Sequence, residues 1–377
     1  MVVALVLTLV QGAVPPSSTF DSAALGGIQH GVYPGAVLVV GRHDTILFAK
    51  GYGHLTWSAT SPAVSVDSTF WDVASLTKVV ATTPALMLLV EQGKVVLDSP
   101  VVRYLVEFNS PGTSGITVRH LLTHTSGLRA TLPLRDARDS AAALRMVLTT
   151  VPIAPPGTRM VYSDLNAILL GEIVRHVSGQ TLDAFVTRAI YAPLGLDQQM
   201  LFRPPKRLVP RIAPTNLWRG HPIAGVVNDP SAGMLGGVSG NAGVFATARG
   251  LARFAQFMLN EGALPDRSRL LKKETVHQFT QIAVPARRGV SARTLGWEAL
   301  PTGEETSSAG TLFGPHSYGH TGWTGTSLWI DPDRDLFVLL LTNRAYSPRV
   351  RGSFTKLKEI RGRVADAAAR AIDALGR

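Results

Sequence analysis

No cysteine occurs among the 377 residues, which excludes disulfides, thiolate metal sites and a cysteine nucleophile. Charge is scarce as well: Asp, Glu, Lys and Arg make up 17%, against a usual share of roughly 25%. Hydrophobic residues, at 45%, run through the whole length, so the chain lacks the signature of disorder and has the material for a large core. There is no His-Glu-x-x-His. His120 and His124 stand at i and i+4 without a third ligand at suitable spacing, so they read as structural and no metal is expected. Gly236 to Gly243 lacks both the Gly-x-Gly-x-x-Gly spacing and a Walker lysine, and reads as turns rather than a phosphate loop. Strict Gly-x-Ser-x-Gly is absent, which removes the strand-to-helix nucleophile elbow. No basic stretch is interleaved with aromatics, so no nucleic-acid partner is expected.

What is present begins with an excess of positive charge, +11 overall. From Asn343 to Arg377 there are nine Lys and Arg against three Asp and Glu. That reads first as a solvated basic helix face, with association to an anionic cell envelope as the sharper alternative. At the other end, Met1 to Val10 is too short to span a bilayer. It matches the length of a signal-peptide apolar region, and Ala13 is a plausible end to a cleavage site, although a basic leader is missing. Residues 1–20 are therefore read as a signal peptide or its remnant, which implies a periplasmic or secreted location. The alternative is a first strand or helix of the fold.

Between these ends the chain changes character. Gly35 to Gly41 and Thr45 to Gly51 are short apolar runs separated by Gly41-Arg-His-Asp44, the pattern of a β-hairpin. Tyr318 to Gly322, Ser327 to Ile330 and Asp335 to Leu341 read as three further strands, with a Pro-containing turn at Asp331 to Asp335. The centre reads as helices: Ser75 to Gln92, Leu165 to Val177, Thr181 to Tyr191 with a Thr N-cap, Thr247 to Leu259, and Arg267 to Gln281. Phe354 to Leu375 is a final helix with a period near 3.6. The simplest architecture is α+β. An antiparallel sheet (about 21–74 and 290–377) is flanked by N- and C-terminal helices. A mostly helical lobe (about 75–289) stands beside it, within one catalytic domain over 21–377. The ligand site is expected in the cleft between the lobes.

Three short elements are the candidates for chemistry. In Ser75-Leu-Thr-Lys78, residues three apart on a helix share a face. A serine hydroxyl needs a base within reach, and Lys78 serves as one only if burial or a neighbouring positive charge lowers its pKa. The run that follows, Val-Val-Ala-Thr-Thr-Pro-Ala-Leu-Met-Leu-Leu-Val, is apolar enough to bury an ammonium. The second element is Tyr162-Ser163-Asp164, where Ser163 or Asp164 also reads as a helix N-cap. The third is His320-Thr321-Gly322, followed by Trp323. Trp323 and Trp329 suit a pocket lining and a core position about equally.

The flanks decide between these readings. Thr69-Phe-Trp-Asp-Val-Ala-Ser75-Leu-Thr-Lys-Val-Val-Ala-Thr82 resembles the nucleophile segment of the penicillin-recognising serine hydrolases: class C β-lactamases, DD-peptidases and related esterases. The resemblance runs from about Gly31 to Asn343. It includes Val118-Arg-His-Leu-Leu-Thr-His-Thr-Ser-Gly-Leu128 and Gly236-Gly-Val-Ser-Gly-Asn-Ala-Gly-Val-Phe-Ala-Thr247, and the three elements occur in the family's order. It implies a β-lactamase/transpeptidase-like fold and an acyl-enzyme on Ser75, with Lys78 and Tyr162 handling protons. The oxyanion would be held by the N–H groups of Ser75 and Trp323. Asp164, His320, Thr321 and Gly322 would contact substrate. No cofactor is implied.

Two departures bear on substrate. Asp164 stands where the family has Asn; it offers no amide donor and would hold Lys78 charged, which favours Tyr162 as base. His320 replaces the Lys of Lys-Thr-Gly that helps bind a substrate carboxylate, and is expected to be only partly charged at neutral pH. Together they tilt the reading toward an esterase or broad acyl hydrolase acting on a small ester, peptide or β-lactam. A D-Ala-D-Ala carboxypeptidase or weak β-lactamase is the alternative, and a non-catalytic cell-wall binder or sensor the third.

Overall fold

The computed structural model describes residues 17–287, 290–301 and 307–375. Residues 1–16 of the expected signal segment lie outside the described residues. Residues 17–20 open the first helix, α1 (Ser17–Gln29).

Both ends of the chain build one sheet. Its strands are β1 (Gly35–Gly41), β2 (Ile46–Gly53), β8 (Ala292–Arg293), β9 (Glu298–Ala299), β10 (Tyr318–Thr321), β11 (Ser327–Asp331) and β12 (Leu336–Thr342). They are antiparallel throughout, in the order β2-β1-β12-β11-β10-β9-β8. Strands β1 and β12 are buried along their whole length, so they read as continuous apolar runs rather than alternating ones. Their side chains nonetheless divide by parity, because successive Cβ atoms point to opposite faces. Ala36, Leu38, Val40, Leu336, Val338 and Leu340 face one core, which is closed by α1 and the last helix, α10 (Ser353–Leu375). Val37, Val39, Phe337, Leu339 and Leu341 face the other, larger core.

That second core is filled by the central helices. They are α2 (Thr83–Glu91), α3 (Val118–Leu122), α4 (Ser140–Leu148), α5 (Asp164–Ser178), α6 (Leu182–Val186), α7 (Pro230–Met234), α8 (Ala248–Leu259) and α9 (Lys273–Thr280). Helix α8 shows why such segments fold: Leu251, Phe254, Ala255 and Met258 are buried while Arg249 and Arg253 are exposed, the stripe of a 3.6-residue period. Thr247 caps it, accepting from Gly250 N at 3.1 Å.

Several local expectations change. The segment from Ser75 is not a single α-helix: a 3-10 turn (Ala74–Leu76) and a π-turn (Lys78–Thr82) precede α2. Ala74 has φ +48, a left-handed conformation that a regular helix start does not use. Thr181 and Ser163 occupy N-cap positions without a capping side-chain bond; Ser163 Oγ donates instead to Arg129 O at 2.5 Å. The Thr181 to Tyr191 helix divides into α6 and a π-turn (Thr187–Tyr191). The expected helix from Arg267 shrinks to α9, because Arg267 has φ +69 and Arg269 bridges to Ala263. The central region also holds short strands the periodicity did not show. β3 (Phe70–Asp72), β4 (Met200–Phe202) and β7 (Val244–Thr247) form a three-stranded sheet in the order β3-β7-β4, and β5 (Asn216–Trp218) pairs with β6 (His221–Ile223). Three or four residues are too few for an alternating pattern to register.

Candidate active site

Strand β3 delivers the chain to Ser75. The Asp72 carboxylate receives Ala74 N at 2.9 Å and Asn228 N at 2.6 Å, which holds the tight turn that Ala74 needs. Burial pushes Asp72 up to about 6, against the pull of those two N–H donors. The π-turn then aims Lys78 back at Ser75. Such single π-turns inside helical segments are frequent at functional sites.

Lys78 is 4% exposed and all three of its protons are used. Nζ donates to Ser75 Oγ at 3.0 Å, to Asp164 Oδ1 at 2.8 Å and to Asn241 O at 3.1 Å. Burial alone would lower the Lys78 pKa, but the Asp164 carboxylate first and Tyr162 second outweigh it, and Lys78 stands above its ordinary value. The expected condition for Lys78 as resting-state base, a lowered pKa, is not met. Asn241 belongs to the Gly-rich stretch noted in the sequence. Thr82 Oγ1 donates to Gly240 O at 2.8 Å, and a Cβ on Gly240 would collide with Ala167 O of α5. Glycine there lets the loop lie against α5 and present the Asn241 carbonyl to Lys78.

Tyr162 stands just before α5. Its ring centroid is 5.0 Å from Lys78 Nζ and 5.7 Å from Arg293 Cζ. The rings of His124 and His320 lie at 4.7 and 5.8 Å. Tyr162 Oη is buried and has no hydrogen-bond partner among the described residues.

His320, on β10, is 3% exposed. Nδ1 donates to Thr321 O at 2.7 Å, which leaves Nε2 as a bare acceptor, buried and unpartnered among the described residues. Burial first, then Lys78 and Arg293, hold His320 far down, at about 3. The expected partial charge is therefore corrected: His320 is neutral, and a neutral acceptor does not attract a carboxylate. His124, read as structural, packs behind Tyr162. Its Nδ1 receives Ser163 N at 3.2 Å, and burial pushes it well below its usual pKa. Among the described residues no group of His and acidic side chains is placed to hold a metal.

Gly322 follows β10. A Cβ there would collide with Val73 O and Thr326 Oγ1, so glycine lets the strand close on the turn that carries Ser75. Thr324 Oγ1 and Thr326 Oγ1 fasten the two together, donating to Asp72 O at 2.7 Å and Val73 O at 2.9 Å. Trp323 is 61% exposed at the mouth, while Trp329 is buried in the core under α10.

Ser75, Tyr162, His320, Thr321 and Trp323 line one cleft of about 310 Å³. Lys78 joins it through Ser75, and Asp164 through Lys78. Sequence reasoning missed Arg293 and Arg361 on its wall. Arg293 sits on β8, 7% exposed, and its Nε and Nη1 have no partner among the described residues. Arg361 is one of the basic residues assigned to a solvated face of α10, yet it is 2% exposed; burial, then Arg344, lowers it to about 9. A larger groove of about 980 Å³ runs between α8, α9 and the Pro332–Arg334 turn. It contains none of these residues, and its size alone gives it no chemistry.

A family model described as Beta-lactamase matches residues 20–360. A protein of Escherichia coli O157:H7, provisionally named a D-alanyl-D-alanine carboxypeptidase, is 32% identical over 351 residues, covering 84% of this chain and 80% of its own. A penicillin-binding protein homologue from Caulobacter crescentus superposes with a TM-score of 0.75 over 95% of this chain and 99% of its own, at 22% identity. EstCE1, a hydrolase with promiscuous acyltransferase activity, gives 0.74 over 93% and 98%, at 21%. The two structures share the fold, and the family match spans nearly the whole chain. The chain belongs to the beta-lactamase family.

Proposed function

We propose that the protein is a serine acyl hydrolase whose substrate carries a carboxylate next to the scissile bond, the pattern of a D-alanyl-D-alanine carboxypeptidase. Arg293 carries this reading. A buried guanidinium on the cleft wall, two of whose nitrogens have no partner among the described residues, is costly unless an anion completes it, and its planar fork suits a carboxylate. The esterase reading rested on Asp164 and on the loss of the family's lysine at position 320; Arg293 answers the second by returning a cation to the same cleft. The 32% identical relative bears the carboxypeptidase name.

In the proposed reaction the substrate carbonyl oxygen meets the N–H groups of Ser75 and Trp323. Neither N–H donates to another described group. The step requires Tyr162 as its phenolate beside the Lys78 ammonium: Ser75 Oγ attacks the carbonyl carbon and its proton passes to the Tyr162 oxygen, since Lys78 has no free lone pair. The tetrahedral intermediate expels the amine, which takes that proton. Water then attacks the acyl-Ser75, giving up a proton through Tyr162 and returning one to Ser75. The ammonium of Lys78 holds Ser75 Oγ in place and favours negative charge nearby throughout. One observation favours the ester alternative: Asp164 brings no amide donor to a peptide substrate.

The test compares an N-acyl-D-alanyl-D-alanine with a neutral nitrophenyl ester. Ser75→Ala should abolish both activities. Arg293→Gln should lower kcat/KM for the carboxylate substrate by about 10–100-fold, the worth of a charged hydrogen bond, and leave the ester nearly unchanged. Activity surviving in Ser75→Ala would remove the nucleophile; equal losses on both substrates would remove the carboxylate role of Arg293.

A further inference from the structure

The turn from Gly322 to Thr326 accounts for every one of its carbonyls. Thr326 O receives Gly322 N at 2.7 Å, Gly322 O receives Gly325 N at 3.1 Å, Thr324 O receives Ala345 N at 3.0 Å and Gly325 O receives Thr342 Oγ1 at 2.9 Å. Guanidinium groups supply the rest. Arg344 donates to Trp323 O. Arg361 donates Nη2 to Thr326 O at 2.7 Å and reaches Gly322 O at 3.4 Å. Trp323 N–H, by contrast, donates to no described residue.

Gly322 O and Trp323 N–H are the two ends of one conjugated peptide group. A cation at the oxygen draws electron density through the amide and makes the N–H a stronger donor, the cooperative effect seen along hydrogen-bond chains. The site of that cation is unfavourable on other grounds. Arg361 is 2% exposed, its Nε is unpartnered and it joins no ion pair among the described residues. Neighbouring Arg344 repels it. A neutral donor such as Gln would peg the turn equally well without taking a charge out of water. What it would not bring is positive charge behind a peptide whose Trp323 shares a cleft with Ser75.

We propose that Arg361 is a positioning residue that fixes and polarises the Gly322–Trp323 peptide, so that Trp323 N–H binds a developing oxyanion more strongly than an unassisted amide. This rests on the reading of Ser75 as nucleophile and Trp323 N–H as oxyanion donor. Loss of a whole donor typically costs about 10²–10³ in rate, so loss of its polarisation is expected to cost about tenfold, and in the transition state rather than in substrate binding.

The experiment compares wild type, Arg361→Lys and Arg361→Gln, with Ser75 titrated by a fluorophosphonate so that rates refer to folded, competent sites. Turnover of the neutral ester is measured beside inhibition by a small boronic acid, which forms a tetrahedral adduct on serine. The expected order is wild type, then Lys, then Gln, with kcat down about tenfold in Gln, the boronic acid weakened in parallel and KM flat. Equal kcat per titrated serine in wild type and Gln, whatever the change in Tm, overturns the inference. If Arg361→Gln does not fold, Arg361→Lys decides: it keeps the charge but not the planar reach to Gly322 O, and unchanged boronic-acid affinity overturns the inference. Wild type that is neither labelled nor inhibited would bring down the nucleophile reading itself, and Arg361 with it.

Discussion

Replacing Asp164 with the Asn usual in the family isolates the charge that sets the protonation of the site. Asp164 Oδ1 lies 2.8 Å from a Lys78 ammonium that is 4% exposed, while the carboxylate itself is 25% exposed. Breaking a buried ion pair from one side costs about 3–5 kcal/mol. Partial exposure and the oxygen that Asn retains argue for the lower end, about 3 kcal/mol. At 1.36 kcal/mol per unit, that brings the Lys78 pKa down by about two units from its raised value. Unfolding entropy of about 2.1 cal/mol/K per residue makes the same loss worth about 4 °C in Tm for a chain this size. Because the folded pKa of Lys78 is raised, its pairing contributes fully below its unfolded value and is lost only as pH climbs through the raised one. The Tm gap should therefore be constant from roughly pH 6 to 9. The assays are thermal unfolding across that range and the pH profile of kcat/KM on a neutral ester, whose alkaline limb should move down by about two units. An Asp164→Asn protein with unchanged Tm and an unchanged profile would refute the claim that Asp164 keeps Lys78 charged.

His320 gives an acid-side test. Its folded value is about 3 against an ordinary 6.5, so between these the unfolded state binds the extra proton and stability rises with pH. At pH 4.5 wild type should have lost about 2–3 kcal/mol relative to pH 7 through this group. Urea unfolding of His320→Gln at the two pH values should show a smaller difference; the same difference would place the acid sensitivity elsewhere. Gly322→Ala forces a Cβ into Val73 O and Thr326 Oγ1. It should displace the peptide before Trp323 and lower kcat/KM by at least about 10²-fold, and wild-type turnover in that variant would show that the strand's close approach to Ser75 is dispensable.

The sequence alone determined the elements whose patterns are long or locally closed. The hairpin β1–β2, the trio β10, β11 and β12, and helices α5, α8 and α10 stand close to where periodicity and caps put them, because eight or more residues of apolar spacing, or strands joined by tight turns, are read within one window. Ser75 and Lys78 are close for the same local reason, three positions apart in one helical segment. Two-residue strands such as β8 have no period to read, and β8 is what carries Arg293 to the cleft. The sequence offered Asp164 as the group that keeps Lys78 charged, but only the tertiary structure decided the burial and contacts that set protonation. Lys78 is pulled down by burial and pulled up further by a carboxylate 86 positions away. His320 loses its charge because the fold buries it, and sets Lys78 and Arg293 near it besides. Arg361, one basic residue among many on a helix that looks solvated, turns inward because α10 packs on β12 and the turn beneath β10. Charge in a sequence is a count; its sign and strength at a site depend on which groups the fold strips of water together.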